Sequence, residues 1–367
     1  MKRVVVILSV ILISSVVFAE ITRKVEPDLN LENKKGKIAV YFDGDKQIAK
    51  EIIDRWGEVK QREGTIPDGE VIQVINGKKV ILPYKDNLKN GVAKQYRGEV
   101  LEAESTYKDG KYDGVTKFYY DSGKVRTELI YVKGLLEGPA KVYNAFGKLE
   151  VEGEYKNDGK IGVWKQYEAD GKIKSEMLYE NNALEGISKE YKNGKIYKEA
   201  TFKRGKQIEF TTEYYPSGNV YAEWMYKSNL LNGTSRIYLD SKAEIVKEER
   251  VYAKGKQHGM TKEYDENRKL VAQWNFKNDI KENVSQGFYP TGELRFEWMY
   301  TEGKKNGIAK EYYKSGKLYG EWDYANDLLN GMAKTYYEDG TVESEKLYKA
   351  GKLVRDRKYN KDGSAVK

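Results

Sequence analysis

The chain says nearly the same thing about every 24 residues, and self-similarity at a fixed period of this size marks a stacked repeat architecture. No other feature constrains its fold as much. "GIAKEYYKSGKLYGEWDYANDLLN" at 307–330 is followed at once by "GMAKTYYEDGTVESEKLYKAGKLV". With Gly307 as the lead position, matching repeats start at Gly91, Gly114, Gly138, Gly162, Gly186, Glu209, Gly233, Gly259, Asn283 and Gly331. The spacing is constant with three exceptions. The steps from Gly91 to Gly114 and from Gly186 to Glu209 are one residue short, and that from Gly233 to Gly259 is two residues long. A degenerate repeat starts at Gly69 and a truncated one near Val354.

Each repeat reads as a β-hairpin. Its first strand ends in an aromatic, a Gly-bearing turn follows, and a second strand ends in another aromatic. Turns such as "YDSGK" and "YKSGK" put Gly123, Gly147, Gly171, Gly316 and Gly340 where a three-residue hairpin loop needs a left-handed residue. Tyr, Val, Ile and Thr favour strands, and so short a repeat with two turn signals leaves little room for a helix. The expected fold class is therefore all-β: tandem hairpin repeats of about 24 residues forming one elongated, twisted antiparallel sheet. The composition suits a thin body buried by rings, with 31 Tyr but only 39% hydrophobic residues.

Columns recur through the repeats. Five residues after the lead stands an aromatic, among them Tyr264, Tyr312 and Tyr336; two residues before it stands a base in nine of eleven repeats, such as Lys262, Lys310 or Lys334. The second strand carries a further aromatic, with Glu three residues earlier in ten of eleven repeats. Simple alternation from a Lys314–Gly316 loop places Ile308, Lys310, Tyr312, Leu318, Trp322 and Tyr324 on one face. Ala309, Glu311, Tyr313, Lys317, Glu321 and Asp323 fall on the other. One face is then expected to be aromatic and apolar, the other mostly charged.

The ends differ. Met1-Lys2-Arg3, an apolar run from Val4 to Phe18, and Val17-Phe18-Ala19 before Glu20 predict a secretory signal over 1–19, cleaved near Ala19. The protein is expected to be exported, to the periplasm, the cell surface or beyond. Residues 20–68 form a cap, either a degenerate hairpin around Tyr41-Phe42-Asp43-Gly44 or an amphipathic helix using Ile48, Ile52, Ile53 and Trp56. Regular repeats then run over 69–353, and 354–367 is the truncated copy.

The words "GIAKEYYKSGKL" and "GMTKEY" resemble the MORN (membrane occupation and recognition nexus) repeat, and more closely its bacterial variant, whose proteins are often labelled antitoxin-like. The resemblance covers roughly 69–367. It implies stacked hairpins and a binding or scaffolding device, with lipid binding often proposed for the family. His-Gly, frequent in the eukaryotic pattern, survives once here, at His258-Gly259.

Chemistry is poorly represented. With one His and no Cys, a Cys–His pair and any multi-His or Cys metal site are excluded. No Gly-x-Ser-x-Gly elbow and no phosphate-loop motif is present. His258 reads as a turn residue, and the Glu column as partners of basic neighbours. The expectation is a non-enzyme without cofactor or metal. Its modest positive excess is spread along the chain, which argues against nucleic acid.

Three functional readings remain. The first is an exported protein–protein interaction scaffold or surface adhesin with a protein partner. Its candidate surface is Trp224, Trp274, Trp298 and Trp322, with Lys262, Lys310 and Lys334 and Tyr264, Tyr312 and Tyr336. The second is a binder of anionic lipid or glycan surfaces through the Lys and Tyr columns. The third, implied by the resemblance alone, is an antitoxin- or immunity-like protein.

Overall fold

The computed structural model describes residues 20–28, 36–54 and 59–366. The expected signal over 1–19 and Trp56 lie outside the described residues. The described secondary structure is strand throughout, with no helix. Packing divides the chain into an N-terminal segment ending at Gly159 and a C-terminal segment starting at Lys160.

Every repeat from Gly91 onward is a hairpin, and two kinds of turn join its strands. Within the repeat at Gly307, the Tyr313 amide donates to Lys317 O at 2.8 Å and the Gly316 amide to Tyr313 O at 2.9 Å. Gly316 has φ 82°, which a side chain would strain. Between repeats the turn has two residues, both left-handed: Glu302 and Gly303 at φ 51° and 81°, or Asn326 and Asp327 at 52° and 68°. That is the type I′ geometry whose twist matches paired strands.

Turn length accounts for the irregular spacings. The two short repeats, at Gly91 and Gly186, close their first turn with only two residues, so that Arg97 pairs Val100 and Lys192 pairs Lys195. The long repeat at Gly233 pairs Tyr238 with Val246 and spends its extra residues in the loop between them.

Consecutive inter-repeat turns are tied together. The Asp327 amide donates to Lys305 O at 3.0 Å, while the Lys305 amide donates to Asp327 Oδ1 at 2.8 Å. The same reciprocal bond joins Asp279 with Gln257 and Asp158 with Leu136. A short acceptor on the second turn residue therefore ties that turn to the one before it.

The expected division of faces does not survive. Tyr312 pairs Leu318 as expected, but Tyr319 is an extra residue, and Glu311 then pairs Gly320. A bulge of one residue flips every side chain beyond it. Trp322 consequently opposes Ala309 and Tyr324 opposes Gly307, whereas Glu321 opposes Lys310 and Asp323 opposes Ile308. We call the side bearing the lead glycine and the second aromatic the ring face, and the side bearing Ile308, Lys310, Tyr312 and Glu321 the ladder face.

On the ring face the rings lie over a column of small residues two positions after the lead. Thr211, Ser235, Thr261, Ser285, Ala309 and Ala333 are all buried. Gly287 and Gly320 continue the logic: a Cβ at Gly287 would run into the Phe296 ring, and one at Gly320 would sit 2.6 Å from Trp322.

The cap departs most from simple repetition. Strands β1 (Ile21–Asp28), β2 (Gly36–Asp43), β3 (Lys46–Ile53) and β4 (Val59–Gly64) form an antiparallel meander. Ile48, Ile52 and Ile53 lie in β3, so the helical alternative is overturned. Strand β1 also pairs in parallel with β5 (Gly69–Ile75), through Ile21–Val71, Thr22–Ile72 and Arg23–Gln73. This parallel join is the one exception to the antiparallel pattern among the described pairings. With β6 (Lys78–Lys85) these strands enclose Tyr41, Ile66, Val71, Leu82 and Tyr84.

Candidate functional site

The Tyr, Glu and Lys columns meet on the ladder face. The first aromatic's hydroxyl donates to the Glu of the preceding repeat: Tyr264 to Glu249 at 3.1 Å, Tyr336 to Glu321 at 2.9 Å, Tyr238 to Glu223 at 2.6 Å and Tyr119 to Glu104 at 2.6 Å. That Glu also faces the base on its own hairpin. Lys334 lies 3.2 Å from Glu345, Arg236 3.1 Å from Glu249 and Lys117 3.3 Å from Glu128. The Lys334 ammonium holds the Glu345 carboxyl below the ordinary carboxylate range. Lys310 opposes Glu321, and Lys262 opposes Gln273.

Tyr312 occupies the same register position as Tyr336. Its carbonyl accepts the Tyr289 hydroxyl at 2.7 Å, part of a second ladder in which Tyr313 donates to Tyr336 O and Tyr215 to Tyr238 O. Burial first, and then the charge of Glu297, raise the Tyr312 phenol's pKa.

The Trp candidates lie on the ring face, opposite the Lys and Tyr candidates, so the structure does not bring the two sets together. Trp224, Trp274, Trp298 and Trp322 pair with Thr211, Thr261, Ser285 and Ala309. Phe296 stacks on Trp298 with ring centres 4.0 Å apart, and Trp274 lies 5.9 Å from Phe296. The Lys305 ammonium stands 3.5 Å from the Trp298 ring centre and Lys281 3.8 Å from that of Trp274. Both ammonium groups also reach the second aromatic column, at Tyr324 and Tyr300, and burial lowers the pKa of each. The Trp274 indole donates to Glu263 at 2.9 Å. The faces of Trp298 are thus taken up by Phe296 and Lys305.

Sequence reasoning missed two arrangements. The first is a row of exposed apolar residues one position after the lead, on the ladder face: Val163, Ile187, Phe210 and Ile308 in the C-terminal segment, Val92 and Val115 in the N-terminal one. Its signal was present as one more apolar column. The second is a buried polar cluster in the cap. Arg23 donates to Tyr41 at 3.0 Å and to Gln73 at 2.7 Å, and Tyr41 donates to Glu51 at 2.6 Å. The Tyr84 hydroxyl, 2.9 Å from that of Tyr41, is left to act as donor to it. Arg62 grips the other Glu51 oxygen through Nε and Nη2 at 2.9 and 2.7 Å. Residues 51, 62, 73 and 84 fall eleven apart, but they are Glu, Arg, Gln and Tyr and lie outside the 24-residue columns, so no recurring residue type marked them.

Among the described residues no three His, Cys, Asp or Glu side chains are grouped to hold a metal ion. His258 is exposed, and its amide donates to Val251 O at 2.8 Å, as the Asn306 amide does to Met299 O at 3.0 Å. No helix among the described residues is long and apolar enough to cross a membrane.

These features define a protein of tandem β-hairpins whose recurring polar groups are largely committed to joining one repeat to the next. The model of the MORN repeat variant matches it seven times, at residues 112–133, 136–157, 160–181, 211–228, 257–278, 305–326 and 329–350, and the chain is a MORN-repeat protein. A comparison with curated proteins returned no match.

Proposed function

We propose that the protein is a non-enzymatic scaffold that holds a protein partner on the ladder face of its repeats, and that it works outside the cytoplasm after cleavage near Ala19. The exposed apolar row carries this reading. Val163, Ile187 and Ile308 are 48, 57 and 55% exposed at the same position of their repeats. Scattered surface apolar residues need no explanation, but a row of them does. Met299, 40% exposed and opposite Val284, shows that the second strands contribute as well. The strand between two members of the row varies: Met225 opposes Phe210, Thr201 opposes Ile187 and Asp323 opposes Ile308.

Anionic lipid or glycan binding through the Lys and Tyr columns is the weaker reading, because much of their polar capacity is engaged by the Glu column. The antitoxin-like label rests on the family resemblance alone.

The test is crosslinking of the full chain in its own envelope, followed by recovery, for the wild type and for Ile187→Ser/Ile308→Ser. Both sites are exposed, so the variant should fold normally. One protein recovered with the wild type and lost from the variant is the expected result. Undiminished recovery from the variant, or lipid alone from both, would overturn it. Export is checked by the N-terminal residue of the isolated chain. Glu20 is expected, and an intact Met1 in the cytoplasmic fraction would refute it.

A further inference from the structure

The apolar row has a margin whose charges are not neutralised. The last residue of each second strand lies on the ladder face, two positions beyond that strand's contribution to the row. In the C-terminal segment Lys203, Lys227, Lys277 and Lys349 fill this place, all exposed, and Glu180 fills it in the repeat at Gly162. Directly opposite Lys227 and Lys277, across the inter-repeat turn, stand Leu230 and Ile280, 50 and 49% exposed.

These lysines have no ion-pair partner among the described residues, unlike several bases of the Lys column inside the repeats. Lys189, Arg236 and Lys334 each have a Glu within ion-pair distance, whereas Lys203, Lys227 and Lys277 have none among the described residues. The nearby acids Glu185 and Glu282 accept backbone amides of the turns, from Arg204 at 2.7 Å and Glu302 at 2.9 Å. Furthermore, Lys203 stands directly opposite Lys206, and Lys349 opposite Lys352. Like charges opposed across a hairpin are destabilising. Folding gains nothing from such a pair, and at Lys203 a local rule broken without a structural return points to function.

We propose that this margin of the C-terminal segment is a docking strip for an acidic, apolar-striped segment of a protein partner. The inference rests on the scaffold reading and names the chemistry of what the scaffold holds. Leu230 and Ile280 take the partner's apolar stripe. Lys203, Lys227 and Lys277 face its carboxylates, which supply the counter-charge the chain does not provide itself. Exposed charges of this kind set orientation and association rate more than affinity, and the apolar contacts slow dissociation.

The test uses the full chain and a labelled synthetic peptide of repeating Leu-Glu-Glu-Leu, read by fluorescence anisotropy. Three controls accompany it: the same peptide with Lys for Glu, the same with Ser for Leu, and phosphatidylglycerol vesicles. Saturable binding of the first peptide alone is expected. Lys203→Glu/Lys227→Glu/Lys277→Glu should weaken it at least about tenfold, and Leu230→Ser/Ile280→Ser should also weaken it. Circular dichroism checks that both variants fold. Equal binding of the Ser peptide, preference for vesicles, or no weakening in the Lys variant would overturn the proposal. The crosslinking experiment separates the two claims. A partner kept by the Lys variant but lost from Ile187→Ser/Ile308→Ser removes this strip and leaves the scaffold standing. A partner kept by both variants removes both.

Discussion

Tyr336 donates its hydroxyl to Glu321, fifteen residues earlier and one repeat back, at 2.9 Å. The same separation joins Tyr119 to Glu104, Tyr143 to Glu128, Tyr191 to Glu176 and Tyr214 to Glu199. A hairpin is marginal alone, and this bond is one of the ties by which each becomes part of a sheet.

Replacing one such hydroxyl tests its worth. Tyr238→Phe keeps the ring, which is 7% exposed, and removes the 2.6 Å bond to Glu223. A hydrogen bond to a charged group contributes about 1.5–3 kcal/mol, discounted here because Glu223 keeps some access to water. A loss of about 1 kcal/mol in urea unfolding is expected. No loss would show that the ladder only decorates the sheet.

Ser285 offers the opposite sign. It is fully buried, its hydroxyl has no partner among the described residues, and Ala309 fills the same column position. A buried hydroxyl without a hydrogen bond costs about 1–3 kcal/mol. Ser285→Ala should therefore stabilise the chain by about 1 kcal/mol, read as a higher urea midpoint. A lower midpoint would mean that the hydroxyl is satisfied in solution.

Alkaline pH should dismantle the ladder. Burial first, and then bonding to Glu, push the phenols of Tyr119, Tyr191, Tyr214 and Tyr336 up to about 12. An unfolded phenol titrates near pH ~10. The folded chain thus holds these protons more tightly, and their stabilisation is complete below pH ~10 and lost as pH rises through about 12. Phenolate absorbance and circular dichroism followed together should show late ionisation coinciding with loss of sheet. Ionisation near 10 with the sheet intact would contradict it.

The cap should fail locally. Glu51 is 3% exposed between Arg62 and Tyr41, and removing one partner of a buried charge pair costs about 3–5 kcal/mol. Glu51→Ala should raise hydrogen exchange across β1–β5 and leave exchange over 259–350 unchanged. Uniform change along the chain would show instead that the whole sheet unfolds as one unit.

Much of the fold was legible because repetition writes the same local instruction many times. Gly316 needs a left-handed turn, Tyr312 and Tyr336 mark strand ends, and the short and long spacings correspond to shorter and longer loops. The candidate Trp set was legible as residues but not as a surface. The bulge at Tyr319 moves Trp322 to the face away from Lys310, and Lys305 and Phe296 occupy the rings of Trp298.

The period, the hairpin, its turns and its all-β class follow from the residues alone, since each depends on residues a few positions apart. Which columns share a face and which charges find partners was settled by the assembled strands. Their assembly also placed Arg23 beside Gln73 through the parallel join of β1 with β5. The physical reason is one of range. A turn is set by the backbone preferences of two or three residues, whereas a register shift of one residue or a pairing across fifty is settled by what packs and what bonds once strands meet.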